Sequence, residues 1–191
     1  LNLDIRRGER VLVTGDPAVT GALFKIMGGI WPWGTGKVRL PGDGEILLLS
    51  QRPFLPEVSL REAICYPHTP QDHSDQDVRN ALESVGLSRL APRLDERDTW
   101  EQNLPLRVQQ QLGFARVLLQ RPAWIFVEEA TDAFDPEGER RILEMLQREL
   151  PGSTLINVSF HPDLEGLHHR KITLSRNAET KVLFGERREK N

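Results

Sequence analysis

Three short stretches of this sequence carry residue types that could handle phosphate. The first is Gly15-Asp16-Pro17-Ala18-Val19-Thr20-Gly21-Ala22, which follows the apolar run Val11-Leu12-Val13 and precedes a helix-like stretch, Leu23 to Ile30. Strand, glycine-flanked loop and helix form the layout in which backbone N–H groups and the positive end of a helix hold an anion. The second is Trp124 to Asp135, where a buried apolar strand ends in Glu128-Glu129. Two carboxylates at the carboxyl edge of a sheet can hold a metal and activate a water, although adjacent acids can also simply end a strand at solvent. The third is Val158-Ser159-Phe160-His161, where a histidine directly after a core strand can contact a phosphate or serve only the structure. Gln51, just after the apolar run Ile46 to Ser50, could sense a metal or water in the same way, and alone is a weak signal.

The phosphate loop is incomplete. A phosphate-binding loop reads G-x-x-x-x-G-K-[ST]. Counting forward from Gly15, the lysine position is Gly21 and the hydroxyl position is Ala22; counting back from Gly29-Ile30-Trp31, the lysine falls on Thr20. Neither frame supplies a lysine, and Lys25 lies a helical turn further on.

The elements that must position these residues follow from hydrophobic periodicity. Short apolar runs at 11–14, 46–50, 124–127 and 155–158 predict buried parallel strands; strand patterns also occur at 1–5, 37–40, 171–174 and 181–184. The spacing predicts helices over 23–30, 75–85, 107–119 and 136–150, the last with Pro136 at a favoured first position. Prolines 53, 56, 67, 70 and 92 break residues 51–121 into short pieces. The resulting expectation is an α/β fold: a mostly parallel sheet core about 1–52 and 122–185, a helical subdomain about 53–121 inserted into it, and a frayed charged tail, 186–191.

Composition bounds the rest. The 191 residues are 38% hydrophobic and 28% charged, enough for a packed core, and suit one large domain or a core with a subdomain. A net charge of −3 gives no electrostatic reason to expect nucleic acid. No apolar run approaches the roughly 18 residues of a membrane span, and no signal-peptide pattern opens the chain. Cys65 is the single cysteine, so no internal disulfide can form and a reducing compartment fits. The sequence opens at Leu1 within a strand pattern, as expected of a piece of something longer.

In order, these stretches resemble the nucleotide-binding domain of an ABC transporter, a P-loop NTPase. Several segments are closer still to the branch of SbmA/BacA-like and peroxisomal fatty-acyl transporters. The matching text is Gly29-Ile30-Trp31-Pro32-Trp33-Gly34, Ser50-Gln51-Arg52-Pro53-Phe54-Leu55-Pro56 with Ser59-Leu60-Arg61-Glu62-Ala63, Phe114-Ala115-Arg116-Val117-Leu118-Leu119 with Arg121-Pro122, and Glu129-Ala130-Thr131. The resemblance implies ATP and Mg2+ as ligands. It implies a transmembrane domain and a second, head-to-tail nucleotide-binding domain as partners, at the cytoplasmic face of the inner membrane of a bacterial exporter. It assigns the nucleotide to Gly15 through Ala22, magnesium to Gln51 and Glu128, catalysis to Glu129 and His161, and the dimer face to Leu104, Pro105, Leu106, Arg107 and Asp135. The departures gather on the phosphate contacts. Glu128 stands at the metal-binding aspartate position. The signature L-S-x-G-[EQ]-Q reads Leu104-Pro105-Leu106-Arg107-Val108-Gln109, with Pro105 lacking the serine hydroxyl and Arg107 replacing glycine. Together they imply impaired hydrolysis. The alternatives are a competent ATPase in which Thr20 replaces the lost magnesium hydroxyl, and a non-nucleotide interaction module on the same fold.

Overall fold

The computed structural model describes residues 2–31, 35–40, 46–176 and 183–189, with 162, 163 and 183–189 described by their backbone. Pro32, Trp33, Gly34, the expected turn over 41–44 and the first half of the expected strand at 181–184 lie outside the described residues.

The chain forms two compact units: residues 1–48, 122–129 and 152–191, and residues 49–121 and 130–151. The first holds the sheet. Its strands are β1 (Arg10–Gly15), β2 (Ile46–Leu49), β3 (Trp124–Glu128), β4 (Thr154–Val158), β5 (Arg170–Arg176) and β6 (Leu183–Glu189). Among the described residues they order β2-β3-β4-β1-β5-β6. β3, β4, β1 and β5 run parallel, and β6 closes one side antiparallel to β5. Helix α1 (Pro17–Met27) follows β1 directly. Alternate strand residues, among them Val11, Val13, Phe126, Ile156, Val158 and Leu174, form a core against which Leu23, Phe24 and Met27 of α1 pack.

The second unit is helical: α2 (Leu60–Cys65), α3 (Asp75–Ser84), α4 (Trp100–Asn103), α5 (Leu106–Gln120) and α6 (Pro136–Glu149). Capping boxes start two of them. Ser59 and Glu62 exchange hydrogen bonds at α2, and Ser74 and Asp77 at α3. Leu60, Ile64, Val78, Leu82, Leu112 and Phe114 are fully or almost fully buried. Trp100, also buried, donates its indole N–H to Val58 O at 2.9 Å.

The elements depart from the sequence expectations in several places. The first helix begins at Pro17 rather than Leu23, because Asp16 caps it and Pro17 supplies the fixed φ of a first turn. Residues 2–5 form no strand; Leu3 and Ile5 instead pack against the sheet core. Residues 37–40 are exposed and irregular. The supposed frayed tail is strand as far as Glu189, since Glu186 to Glu189 pair with Thr173 to Arg170. Residues 130–151, expected with the sheet core, cluster with the helical unit.

Candidate functional site

The sheet unit gathers part of the expected site at one edge. In register, Val13 and Glu128 flank Val158; β3 and β4 end at this level and β1 runs two residues further, to Gly15. Gly15–Asp16, Glu128–Glu129 and Ser159–His161 all lie just beyond it, at the carboxyl edge where ligands of open α/β sheets bind. Backbone bonds fix this edge: Asp16 N–H donates to Leu174 O at 2.9 Å, Ser159 N–H to Val13 O at 3.2 Å, and Glu129 N–H to Val158 O at 3.2 Å.

Gly15 is required here. Its φ is +124°, and a Cβ would stand 1.9 Å from Leu174 O. One residue later the helix has begun. Asp16 is extended, its carboxylate accepts the Ala18 N–H at 2.8 Å, and its carbonyl accepts from Val19 and Thr20. The stretch read from sequence as the phosphate loop is therefore mostly helix, and a protein carboxylate already occupies the amide end that would receive an anion. Thr20 is 1% exposed and donates its hydroxyl to Pro17 O at 3.2 Å. Val19 is buried in the core.

Glu128 lies against α1: a Cβ on Gly21 would meet its Oε1 at 3.2 Å. Burial raises the pKa of this carboxyl, the adjacent Glu129 raises it further, and Lys25 acts in the opposite sense. The added methylene relative to aspartate is accommodated because the facing residue has no side chain. Lys25 also stands 5.8 Å from the Trp31 ring centre. Glu129 has φ +51°, a left-handed conformation that costs a non-glycine residue on the order of 1–2 kcal/mol. Such outliers gather at functional sites. His161 is exposed and extended, and its N–H reaches Ser159 Oγ at 3.3 Å.

In the helical unit, Gln51 donates its amide to Asp132 Oδ2 at 2.5 Å. Leu104 ends α4, Pro105 sits at the N-cap of α5 without a side-chain cap bond, and Leu106 and Arg107 open the helix. Arg107 Nη2 lies 3.5 Å from Asp135 Oδ1, with its guanidinium 5.1 Å from the Phe134 ring centre. Two residues expected to face a partner domain thus face each other. Gly138 leaves room for them, since a Cβ there would stand 2.6 Å from Asp135 Oδ1.

Sequence reasoning missed Gln110 and Asp132. Gln110 is 1% exposed and donates to Gln51 O at 2.9 Å and Asp132 Oδ1 at 2.5 Å, while its Oε1 accepts from Ala133 N–H at 3.2 Å. The available signal was Gln109-Gln110-Gln111 inside an otherwise apolar helix. Gln109 serves α4 instead, donating to Glu101 O and Leu104 O at 2.8 and 2.7 Å.

Gln51 donates its side-chain N–H to Asp132, the Thr20 hydroxyl donates to Pro17 O, burial raises the Glu128 pKa, and Asp16 caps the start of α1. Among the described residues, no three His, Cys, Asp or Glu side chains gather to hold a metal.

No protein-family profile matches the chain. Curated proteins do. An uncharacterized ABC transporter ATP-binding protein of Haemophilus influenzae is 33% identical over 184 residues, 96% of this chain and 31% of that protein. The inner membrane ABC transporter ATP-binding protein YddA of Escherichia coli is 32% identical over 168 residues, 87% of this chain and 29% of that protein. The human lysosomal cobalamin transporter ABCD4 is 33% identical over 189 residues, 91% of this chain and 31% of that protein. The chain spans under a third of the length of each of these relatives. With a mostly parallel sheet that brings β1, Glu128–Glu129 and His161 to one edge, and with matches that run almost end to end, the chain belongs to the ATP-binding domains of ABC transporters, in the branch that includes the D-family members.

Proposed function

We propose that this domain occupies the ATP-binding position of a bacterial ABC exporter but turns over Mg-ATP slowly or not at all. In this reading it docks on a membrane domain outside this chain, at the cytoplasmic face of the inner membrane, and pairs head to tail with a second nucleotide-binding domain. It acts mainly as a scaffold. The observation that carries the reading is the Asp16 carboxylate on the Ala18 N–H at the start of α1. A phosphate arriving there would displace the cap and meet a like charge. Unit charges about 4 Å apart repel by about 1 kcal/mol in bulk water and about 4 kcal/mol near a protein surface, a loss of up to about three decades in affinity. The absent lysine and the burial that disfavours the charged form of Glu128 act in the same direction. Phosphoryl transfer depends almost wholly on such charge placement, so losing several contacts together removes turnover.

Isothermal calorimetry with Mg-ATP, followed by phosphate release, tests the reading. We expect no binding at micromolar nucleotide and no release above the buffer rate. Micromolar affinity with release that Glu129→Gln abolishes would overturn it. That outcome would instead favour the competent ATPase, a reading that draws on Glu129 holding a strained conformation at the sheet edge.

A further inference from the structure

One stripe of α5 grips the loop that follows β2. Gln110, Gly113 and Arg116 recur every three residues, on one face of the helix. Gln110 holds Gln51 O. Gly113 admits the loop closely: a Cβ there would stand 3.1 Å from Leu49 Cδ2 and 3.5 Å from Pro53 Cβ. Arg116, buried and with its pKa lowered to about 10 by desolvation, donates to Phe54 O at 3.1 Å and Ala63 O. Glu101 then takes the Leu55 N–H at 2.9 Å. The backbone of residues 51–55 is thus tied at nearly every step.

The last tie comes from a different segment. Asp132, in the turn between β3 and α6, accepts from the side chain of Gln51 on one oxygen and from Gln110 on the other. The same Gln110 receives the Ala133 N–H, so the turn and the loop share one buried amide. We propose that Asp132 is a positioning residue that clamps the Gln51 loop to this turn, holding it in one arrangement whatever nucleotide is present. Each carboxylate oxygen of Asp132 thus accepts an amide N–H, a charge-assisted pair of bonds. The inference deepens the scaffold reading and rests on it, since a loop held on Asp132 keeps one arrangement instead of following a nucleotide.

Hydrogen exchange on the full chain reads the clamp at the amides of Phe54, Leu55 and Ala133. In Asp132→Ser, exchange there is expected to rise about tenfold or more. Asp132→Asn, which keeps one acceptor, falls between, and the amides of α3 stay at the wild-type rate. Wild-type rates are expected to be unchanged by Mg-ATP. In the wild-type chain the Gln51 side-chain amide is expected to give a dispersed, slowly exchanging pair of proton signals, a readout that needs no variant. Unaltered exchange in Asp132→Ser, a loop whose exchange shifts with Mg-ATP, or a Gln51 amide averaged as in an unstructured peptide would each overturn the clamp. Calorimetric Mg-ATP binding with loop exchange unchanged would overturn the scaffold reading and leave the clamp standing.

Discussion

The Asp16 carboxylate accepts the Ala18 N–H at 2.8 Å, two residues into the helix where a nucleotide-binding domain would receive phosphate. The position is fixed from both sides. Gly15 lies so close to β5 that the chain has no slack before it, and Pro17 commits the next residue to helix. Where a phosphate loop would stand, Asp16 caps α1 directly.

Removing that cap should weaken the domain. Asp16→Ala leaves the first-turn amides of α1 without a side-chain acceptor and costs about 1 kcal/mol, within a range of about 0.5–2 for such caps. Asp16→Asn, which keeps the acceptor, costs less. Urea unfolding of the three chains side by side checks this. An Ala variant as stable as wild type would mean the observed bond contributes nothing.

Gly15→Ala tests the close approach to β5. The left-handed φ and the 1.9 Å separation from Leu174 O leave a methyl group no place without moving a strand. A loss on the order of 3 kcal/mol is expected, enough to unfold a marginal domain. Thermal unfolding by circular dichroism reads it. A shift in Tm under about 2 °C would show that the strand yields easily.

Glu129→Gly should act in the opposite direction. Its φ of +51° burdens glutamate and not glycine, so the substitution stabilises by roughly 1 kcal/mol. Chemical denaturation measures the gain; a variant less stable than wild type would mean that the carboxylate makes contacts outweighing the strain.

What could be read from the sequence was what is local. The runs 124–127 and 155–158 are strands, and Pro136 starts α6, because period and first-turn chemistry lie within a few residues. The start of α1 is equally local, in the pair Asp16-Pro17, but the spacing of Gly15 and Gly21 masks it. Charged residues 186–189 hid β6, which shows itself in backbone pairing with β5 and not in a hydrophobic pattern. Gln110 with Asp132 and Arg107 with Asp135 are tertiary meetings across 22 and 28 residues, which no period encodes.

Glu128 makes the stability of the domain depend on pH. Its folded pKa is raised, by burial first and by Glu129 second. A carboxyl of this kind binds its proton more tightly when folded. Its contribution is fully present below the unfolded value of about 4.3 and is lost as pH rises through the higher folded value. Wild-type stability should therefore fall across the mildly acidic range by a component that Glu128→Gln removes, because glutamine stays neutral in the same place against Gly21. Urea midpoints measured from pH 4 to 8 for both chains isolate that component. Parallel profiles would show that Glu128 titrates normally, and its carboxylate would then be charged and available at the sheet edge at neutral pH.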